Sequence, residues 1–175
     1  LFESNATLTH VTITNNTASS GGVMLTLSNP ILTHVTITNN TATSFDSGGM
    51  SMFISYPIFS NCIIWGNSPE SMFGFDTGAV IINYSDIEGG WEGEGNIDAD
   101  PLFTDPENGD YTLQEGSPCI DAGIIIEDME YYGSAPDMGA YEYGDSSIMA
   151  GDTNFDGIVD ILDIVRIVNQ IMGNS

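Results

Sequence analysis

The sequence predicts an all-β fold, a right-handed parallel β-helix solenoid with a small C-terminal appendage. Three observations carry that expectation. The stretch Thr9-His10-Val11-Thr12-Ile13-Thr14-Asn15-Asn16-Thr17-Ala18 recurs letter for letter at Thr33-His34-Val35-Thr36-Ile37-Thr38-Asn39-Asn40-Thr41-Ala42, an offset of 24 residues. A repeat of this period marks a solenoid, whose units bury their apolar faces only against their neighbours. Apolar residues alternate with β-branched threonine in short runs such as 8–14, which suits strands. Apolar spacing at i, i+3, i+4 and i+7 is missing throughout residues 1–145.

The repeat extends beyond its identical core. Gly21-Gly22 and Pro30-Ile31 have counterparts in Gly48-Gly49 and Pro57-Ile58, 27 residues on, so three residues are inserted near 43–45. His34, Val35 and Ile37 then align with Asn61, Cys62 and Ile64. A fainter fourth unit sets Tyr84-Ser85-Asp86-Ile87 on Asn61-Cys62-Ile63-Ile64 at an offset of 23. Units of 23–27 residues with about three short strands each match one coil of a parallel β-helix, and parallel crossovers are overwhelmingly right-handed. The expected stacks are Val11 on Val35 on Cys62, Ile13 on Ile37 on Ile64, and Asn16 on Asn40 on Asn67. Stacked asparagines hydrogen-bond along the column and tolerate left-handed turns. The regular coils span about 1–88. Residues 89–145 are Gly- and acid-rich, with apolar islands at Leu102-Phe103, Tyr111-Thr112-Leu113 and 138–143, and read as an irregular end wrapping the last coil. A linker, Gly144-Asp145-Ser146-Ser147, leads to the appendage at 146–175.

Four phrases carry a family resemblance: Ser60-Asn61-Cys62-Ile63-Ile64-Trp65, Asn96-Ile97-Asp98-Ala99-Asp100-Pro101-Leu102-Phe103, Gly116-Ser117-Pro118-Cys119-Ile120-Asp121-Ala122-Gly123 and Asp137-Met138-Gly139-Ala140-Tyr141-Glu142-Tyr143. With the repeats they resemble the pectate-lyase-like right-handed β-helix proteins, and the later phrases resemble the C-terminal end of large secreted bacterial β-helix proteins. The resemblance implies a fold and an extracellular or cell-surface location. It implies no single activity, because this fold hosts many.

The appendage has its own chemistry. Asp152, Asn154, Asp156, Asp160 and Asp163 stand at positions 1, 3, 5, 9 and 12 of an EF-hand-type loop, Ile158 offers its carbonyl at position 7, and Gly157 permits the sharp turn. Hard oxygen donors in that pattern point to Ca2+. Residues 161–172 read as a helix ended by Gly173. Its apolar residues Ile161, Leu162, Val165, Val168, Ile171 and Met172 need a partner surface. The segment resembles one half of a type I dockerin, in which Asp at position 12 is normal, and the resemblance implies a cohesin-like protein partner or a second copy.

Charge narrows the function. The chain has 25 acidic residues against Arg166 alone, a net charge of −24, and only Glu3 and Asp46 lie in residues 1–69. Such a chain has no cationic groups to displace counterions from nucleic acid. No run of eighteen apolar residues offers a membrane span. The chain starts inside a repeat, without Met or a signal segment, which fits a mature product or a fragment. Cys62 and Cys119 permit one disulfide or two buried thiols.

No catalytic residue is assigned. β-helix lyases generally use an Arg or Lys base, and an inverting hydrolase needs close carboxylates. In the regular coils Asp46, Asp76 and Asp86 share no face. His10 and His34 are repeat-equivalent and read as a structural stack, not a metal pair. Asp98, Asp100, Asp105, Glu107, Asn108 and Asp110 read as turn formers ahead of a second calcium site. Trp65, Phe73, Phe75 and Trp91 are the candidates for a carbohydrate platform, but they do not repeat in register. The expected function is a non-catalytic structural or adhesion role, calcium-stabilised, attaching or self-assembling as a homo-oligomer or filament. The contacts would be the dockerin-like tail and the first coil, whose uncapped end would expose strand edges. The competing expectation is a polysaccharide-active or carbohydrate-binding β-helix anchored through the same tail.

Overall fold

Identical sequence in successive units forces identical conformation, and the cheapest way to bury it is in-register stacking. The computed structural model shows this, and it describes residues 1–44, 47–75 and 80–144. The first coil holds β1 (Thr7–Thr14), β2 (Thr17–Ala18) and β3 (Val23–Thr26). The second holds β4 (Ile31–Thr38), β5 (Thr41–Ala42) and β6 (Met50–Phe53), and the third β7 (Ile58–Ser60), β8 (Ile63–Trp65) and β9 (Met72–Phe75). β10 (Ile81–Asn83) and β11 (Asp86–Ile87) begin a fourth. Equivalent strands pair in parallel into three sheets: β1 and β10-β7-β4-β8-β11, then β2-β5, then β3-β6-β9. The chain is therefore a parallel β-solenoid of about three turns, nearly all β.

The expected register holds. Ile13 pairs with Ile37 and Ile37 with Ile64, and Val11 pairs with Val35. Asp86-Ile87 pairs with Ile63-Ile64 at the offset of 23. The change from 24 to 27 falls slightly later than 43–45. The Ser44 amide still donates to the Ser19 carbonyl, while Gly22 and Val23 already donate to Gly48 and Gly49.

Each coil turns where a residue takes the left-handed conformation, and these residues also stack. One column is His10, His34, Asn61 and Tyr84, at φ of 51°, 51°, 54° and 50°. It splits what reads in sequence as one long strand into two faces. A second is Asn15, Asn39 and Gly66, where Asn and Gly pay least for that backbone. The two asparagines of the repeat thus have separate tasks, since Asn16, Asn40 and Asn67 instead hydrogen-bond to one another from coil to coil.

The interior is a column of stacked apolar side chains that includes Leu32, Phe59 and Ile82, and Ile37, Ile64 and Ile87. Each fully buried side chain of this kind contributes about 1.5–3 kcal/mol. Polar ladders line it. Asn40 Oδ1 accepts from the Asn16 backbone and side-chain amides, and Asn67 Oδ1 does the same for Asn40. Ser28 and Ser55 form a shorter ladder through backbone N–H groups one coil away.

The two ends of the stack differ. At the first coil Leu8, Val11, Ile13 and Val23 are only partly buried, beside a cavity of about 220 Å³. At the other end residues 89–98 close the stack. Trp91 packs against the core, and Asn96 accepts from the Ser85 amide and donates to the Ile82 carbonyl.

The irregular segment does more than wrap the last coil. Beyond residue 98 it leaves the axis and folds back along the outside of the large sheet as a flap. β12 (Phe103–Asp105), a short 3-10 turn (Pro106–Asn108) and β13 (Asp110–Leu113) form an antiparallel hairpin. Phe103, Tyr111, Leu113, Cys119 and Met138 build a second core against Ile63 and Trp65, on the outer side of the sheet. The Tyr111 hydroxyl reaches the first coil, accepting from Thr14 Oγ1 at 2.7 Å and from Asn15. An amphipathic reading of the strands misses this, because outward residues such as Ile63 are buried too.

Candidate functional site

The histidines of the repeat stand at a corner of the coil. The His10 and His34 rings stack with centroids 4.9 Å apart and planes within 11°. His34 is buried, and its Nε2 meets Asn61 Nδ2 at 3.0 Å. Burial, then the neighbouring His10, pulls its pKa down to about 4, so the ring is neutral at physiological pH.

Asn61 joins the solenoid to the flap. Its Oδ1 accepts from the Ile124 amide at 2.8 Å and its Nδ2 donates to the Ile124 carbonyl at 2.9 Å, so one side chain mimics a strand pairing. Beside it Gly139 donates to the Asn61 carbonyl, and Ala140 donates to Thr36 Oγ1. A Cβ on Gly139 would sit 2.7 Å from Ile63 Cδ1, at a φ of 99°. The Gly139 of the 137–143 phrase is there for close approach.

The carboxylates of the flap grip backbone. Asp137, buried, accepts from the amides of Asp121 and Tyr143. Glu142 accepts from Tyr132 and Asp137, and Asp121 from Ser134 and Ala135. Burial raises the pKa of Asp137 and of Glu142, whereas the amides of Ala135 and Ser134 hold Asp121 low. The 116–123 and 137–143 phrases therefore staple each other, as the Met138 amide on the Cys119 carbonyl confirms.

Asp86 is the buried acid between the last coil and the flap. Its Oδ1 accepts from the Ala99 amide at 3.2 Å, and Cys119 Sγ lies 3.3 Å from its Oδ2. Burial pushes its pKa up to about 6. Both cysteines are free and buried, Cys62 in the inner core and Cys119 in the outer one, so they do not pair. Burial pushes the Cys62 thiol up to about 12 and raises Cys119 as well, so both are unreactive thiols.

The acidic run after residue 98 serves turns. Asp100 accepts from the Leu102 amide, Asp105 from the Asn108 side chain, and Asp110 from the amide and hydroxyl of Thr112. Among the described residues no cluster of His, Cys, Asp and Glu is placed to hold a metal.

Two open clefts flank the turn at Gly66-Asn67. One, about 360 Å³, lies between Glu70, Ser71, Glu88 and Trp91; the other, about 420 Å³, between Trp65, Asp100, Phe103 and Gln114. Glu88 Oε2 divides them, accepting from the Gly66 amide at 2.9 Å and from Ser71 Oγ at 2.6 Å. Trp65 and Trp91 thus stand in neighbouring clefts, and Phe73 is exposed on the separate sheet β3-β6-β9.

The calcium loop, with Asp152, Asn154, Asp156, Ile158, Asp160 and Asp163, and the apolar residues Ile161, Leu162, Val165, Val168, Ile171 and Met172, lie outside the described residues. Asp46 and Asp76 do too.

Comparison with family models, curated proteins and solved structures finds no match to the chain.

Sequence reasoning missed Asp86, Asn61 and Cys119 as joints between coil and flap. Asp86 carried one signal: it interrupts a position that is Ile63 one coil earlier and Thr36 before that. Asn61 carried another, replacing the histidine of the repeat.

Proposed function

We propose that this chain is an extracellular, non-catalytic structural or adhesion protein. In this reading it is a right-handed, pectate-lyase-like β-helix that attaches or self-assembles through protein–protein contacts. Calcium organises its half-dockerin-like tail through Asp152, Asn154, Asp156, Ile158, Asp160 and Asp163. The helix residues Ile161, Leu162, Val165, Val168, Ile171 and Met172 then supply an apolar face for a cohesin-like protein or another copy, and the strand edges of the first coil supply a second contact.

One observation carries the structural reading. Side chains capable of chemistry are spent on architecture: Asp86, Glu88, Asp121, Asp137 and Glu142 each accept backbone amides, and His34 is stacked and neutral. Sedimentation and electron microscopy of the purified chain, with calcium and with EGTA, test it. Assembly that weakens in EGTA supports the proposal. A monodisperse monomer at every concentration in calcium refutes self-assembly, and assembly indifferent to EGTA removes the loop from it.

The two clefts favour a second reading. An indole wall beside carboxylates and amides suits a sugar, whose apolar face stacks while its hydroxyls donate. Binding or turnover of pectin or alginate, lost on Trp91→Ala, would establish that alternative over the first.

A further inference from the structure

The open face of the first coil presents what the second coil presents to the first. Thr9–Ala18 and Thr33–Ala42 are identical in sequence. Among the described residues β4 is paired on both sides, with β1 and with β7 and β8, whereas β1 is paired only with β4. Leu32, Val35 and Ile37 are fully buried, while their equivalents Leu8, Val11 and Ile13 are only partly so, at the end that holds the apolar cavity. What covers β4 is β1. A strand like β1 therefore fits β1, because the edge it meets has the same side chains in the same order.

The neighbouring edge is the second, independent sign. Residues 1–4 already lie on β3 as a coil would. Phe2 pairs in parallel with Thr26, the Glu3 amide donates to the Thr26 carbonyl, and the Thr26 amide donates to the Leu1 carbonyl. The Ser4 amide donates to Ser28 Oγ as the Ser28 amide does to Ser55 Oγ. Glu3 heads the corner column of Leu27 and Ile54, at φ of 46°, 51° and 46°. The edge of β3 is thus covered by parallel, in-register chain, and the edges of β1 and β2 have no such cover among the described residues.

The asparagine column sets the direction. Each Oδ1 accepts from the coil before it, Asn67 from Asn40 and Asn40 from Asn16. Asn16 is exposed, and no described residue donates to its Oδ1. The open face therefore ends in an acceptor that an incoming asparagine meets with its backbone and side-chain amides. A second copy brought up end to end does not supply this. Two first coils facing each other set acceptor against acceptor at Asn16, and residues 89–98 close the last coil. Residues 1–69 hold only Glu3 and Asp46, so little on this face repays the desolvation of a charged side chain. The strand that fits is uncharged and rich in threonine.

We propose that the first coil receives one extended strand of a separate protein, added in parallel and carrying the pattern of the repeat. Its apolar side chains lie over Leu8, Val11 and Ile13, and its asparagine over Asn16. Strand addition of this kind takes its affinity from main-chain hydrogen bonds and its specificity from alternate side chains. The proposal rests on the reading of the first coil as an attachment contact, and it names the chemistry of the partner.

A fluorescent peptide with the sequence of residues 6–19, titrated into the full chain in calcium and in EGTA, tests it by anisotropy. The expected result is saturable one-to-one binding in both conditions. Asn16→Ala made in the peptide should raise the dissociation constant about tenfold or more. The peptide of reversed sequence, equal in composition, should not bind. In the chain, Ile13→Asp should abolish binding, and Leu102→Asp, on the flap, should leave it unchanged. No saturable binding, or binding indifferent to Ile13→Asp or to the order of the peptide, overturns the proposal. Sedimentation of the same samples separates the two readings. A chain that assembles without binding the peptide leaves self-assembly standing and overturns this site. A chain that binds the peptide yet stays monomeric in calcium supports the site and refutes self-assembly. Oligomers that dissociate as the peptide saturates make a second copy the occupant and overturn the separate strand. If Ile13→Asp does not fold by far-UV circular dichroism, hydrogen exchange of the wild type takes its place: the open-side amides of β1 should slow at saturation, and those of β10 should not. A peptide that self-associates is replaced by the same residues fused to a soluble carrier.

Discussion

Replacing Asp86 with asparagine should stabilise the protein at pH 8 and leave it nearly unchanged at pH 4. The carboxyl is buried between Ala99 and Cys119, and burial pushes its pKa from 3.8 to about 6, with Asp98 and Asp100 adding to the rise. A group whose folded pKa is raised contributes stability that is fully present below pH 3.8 and is lost as pH rises through about 6. At about 1.36 kcal/mol per unit, the contribution lost is at most about 3 kcal/mol. Asparagine keeps the shape: its Oδ1 still accepts from Ala99 and its amide faces the Cys119 sulfur. It carries no charge to desolvate. Urea unfolding at pH 4 and pH 8, followed by far-UV circular dichroism, measures the difference directly. A gain of about 2–3 kcal/mol at pH 8 that vanishes at pH 4 is the expected outcome. Equal destabilisation at both pH values would refute the reasoning, since it would mean that the site needs the carboxylic acid itself and not merely its neutral form.

His34→Asn should act in the opposite pH sense. The folded pKa of His34 lies near 4, below 6.5, so its contribution is present above pH 6.5 and lost as pH falls toward 4, by about 3 kcal/mol. Asn already fills this column at residue 61, so the variant should lose the acid slope while keeping the corner, and unfolding between pH 7 and 4 reads it. Because Asp86 and His34 titrate over overlapping ranges with opposite signs, their contributions offset in the wild type, and each single variant should unmask the other. Gly139→Ala should cost about 2–4 kcal/mol through its left-handed backbone and the clash with Ile63, and loosen the flap first. Limited proteolysis should then cut within 99–144 before the coils. Asn61→Ala should also release the flap, leaving the Ile124 amide and carbonyl without their partner, and hydrogen exchange at Ile124 reports it.

The solenoid was legible because its signal is redundant. Each coil states the period again, and in-register burial follows from any two copies. The asparagine column could be derived residue by residue, from Asn16 to Asn67. The flap was not legible, because nothing in it repeats and its partners lie far away in sequence. Tyr111 bonds Thr14, and Ala140 bonds Thr36, across about a hundred residues. Nothing in the acid-rich composition of the flap singles out Asp137, yet it is buried, because backbone amides substitute for water around it. The outward isoleucines were in plain view, but the alternation of a strand does not say which face meets solvent until the flap is placed.

The identical decapeptides make a direct test of what stacking alone contributes. Their intrinsic propensities are equal, yet β4 is buried along nearly its whole length and β1 is not. Thr36 Oγ1 accepts from Ala140, while Thr12 Oγ1 is buried without a partner. Asn16→Ala and Asn40→Ala change the same residue in the same ten-residue context. Asn16 donates to Thr14 and to Asn40 Oδ1. Asn40 has those same kinds of bond on both sides, accepting from Asn16 and donating to Ile13, Thr38 and Asn67. Its loss leaves buried groups unpaired in two neighbouring coils, at about 1–3 kcal/mol for each group that finds no water. Asn40→Ala should therefore cost about 3 kcal/mol more than Asn16→Ala in equilibrium unfolding. Equal costs would mean that the asparagine acts through its own turn and not through the column, and the ladder would then be a consequence of the stacking instead of one of its causes.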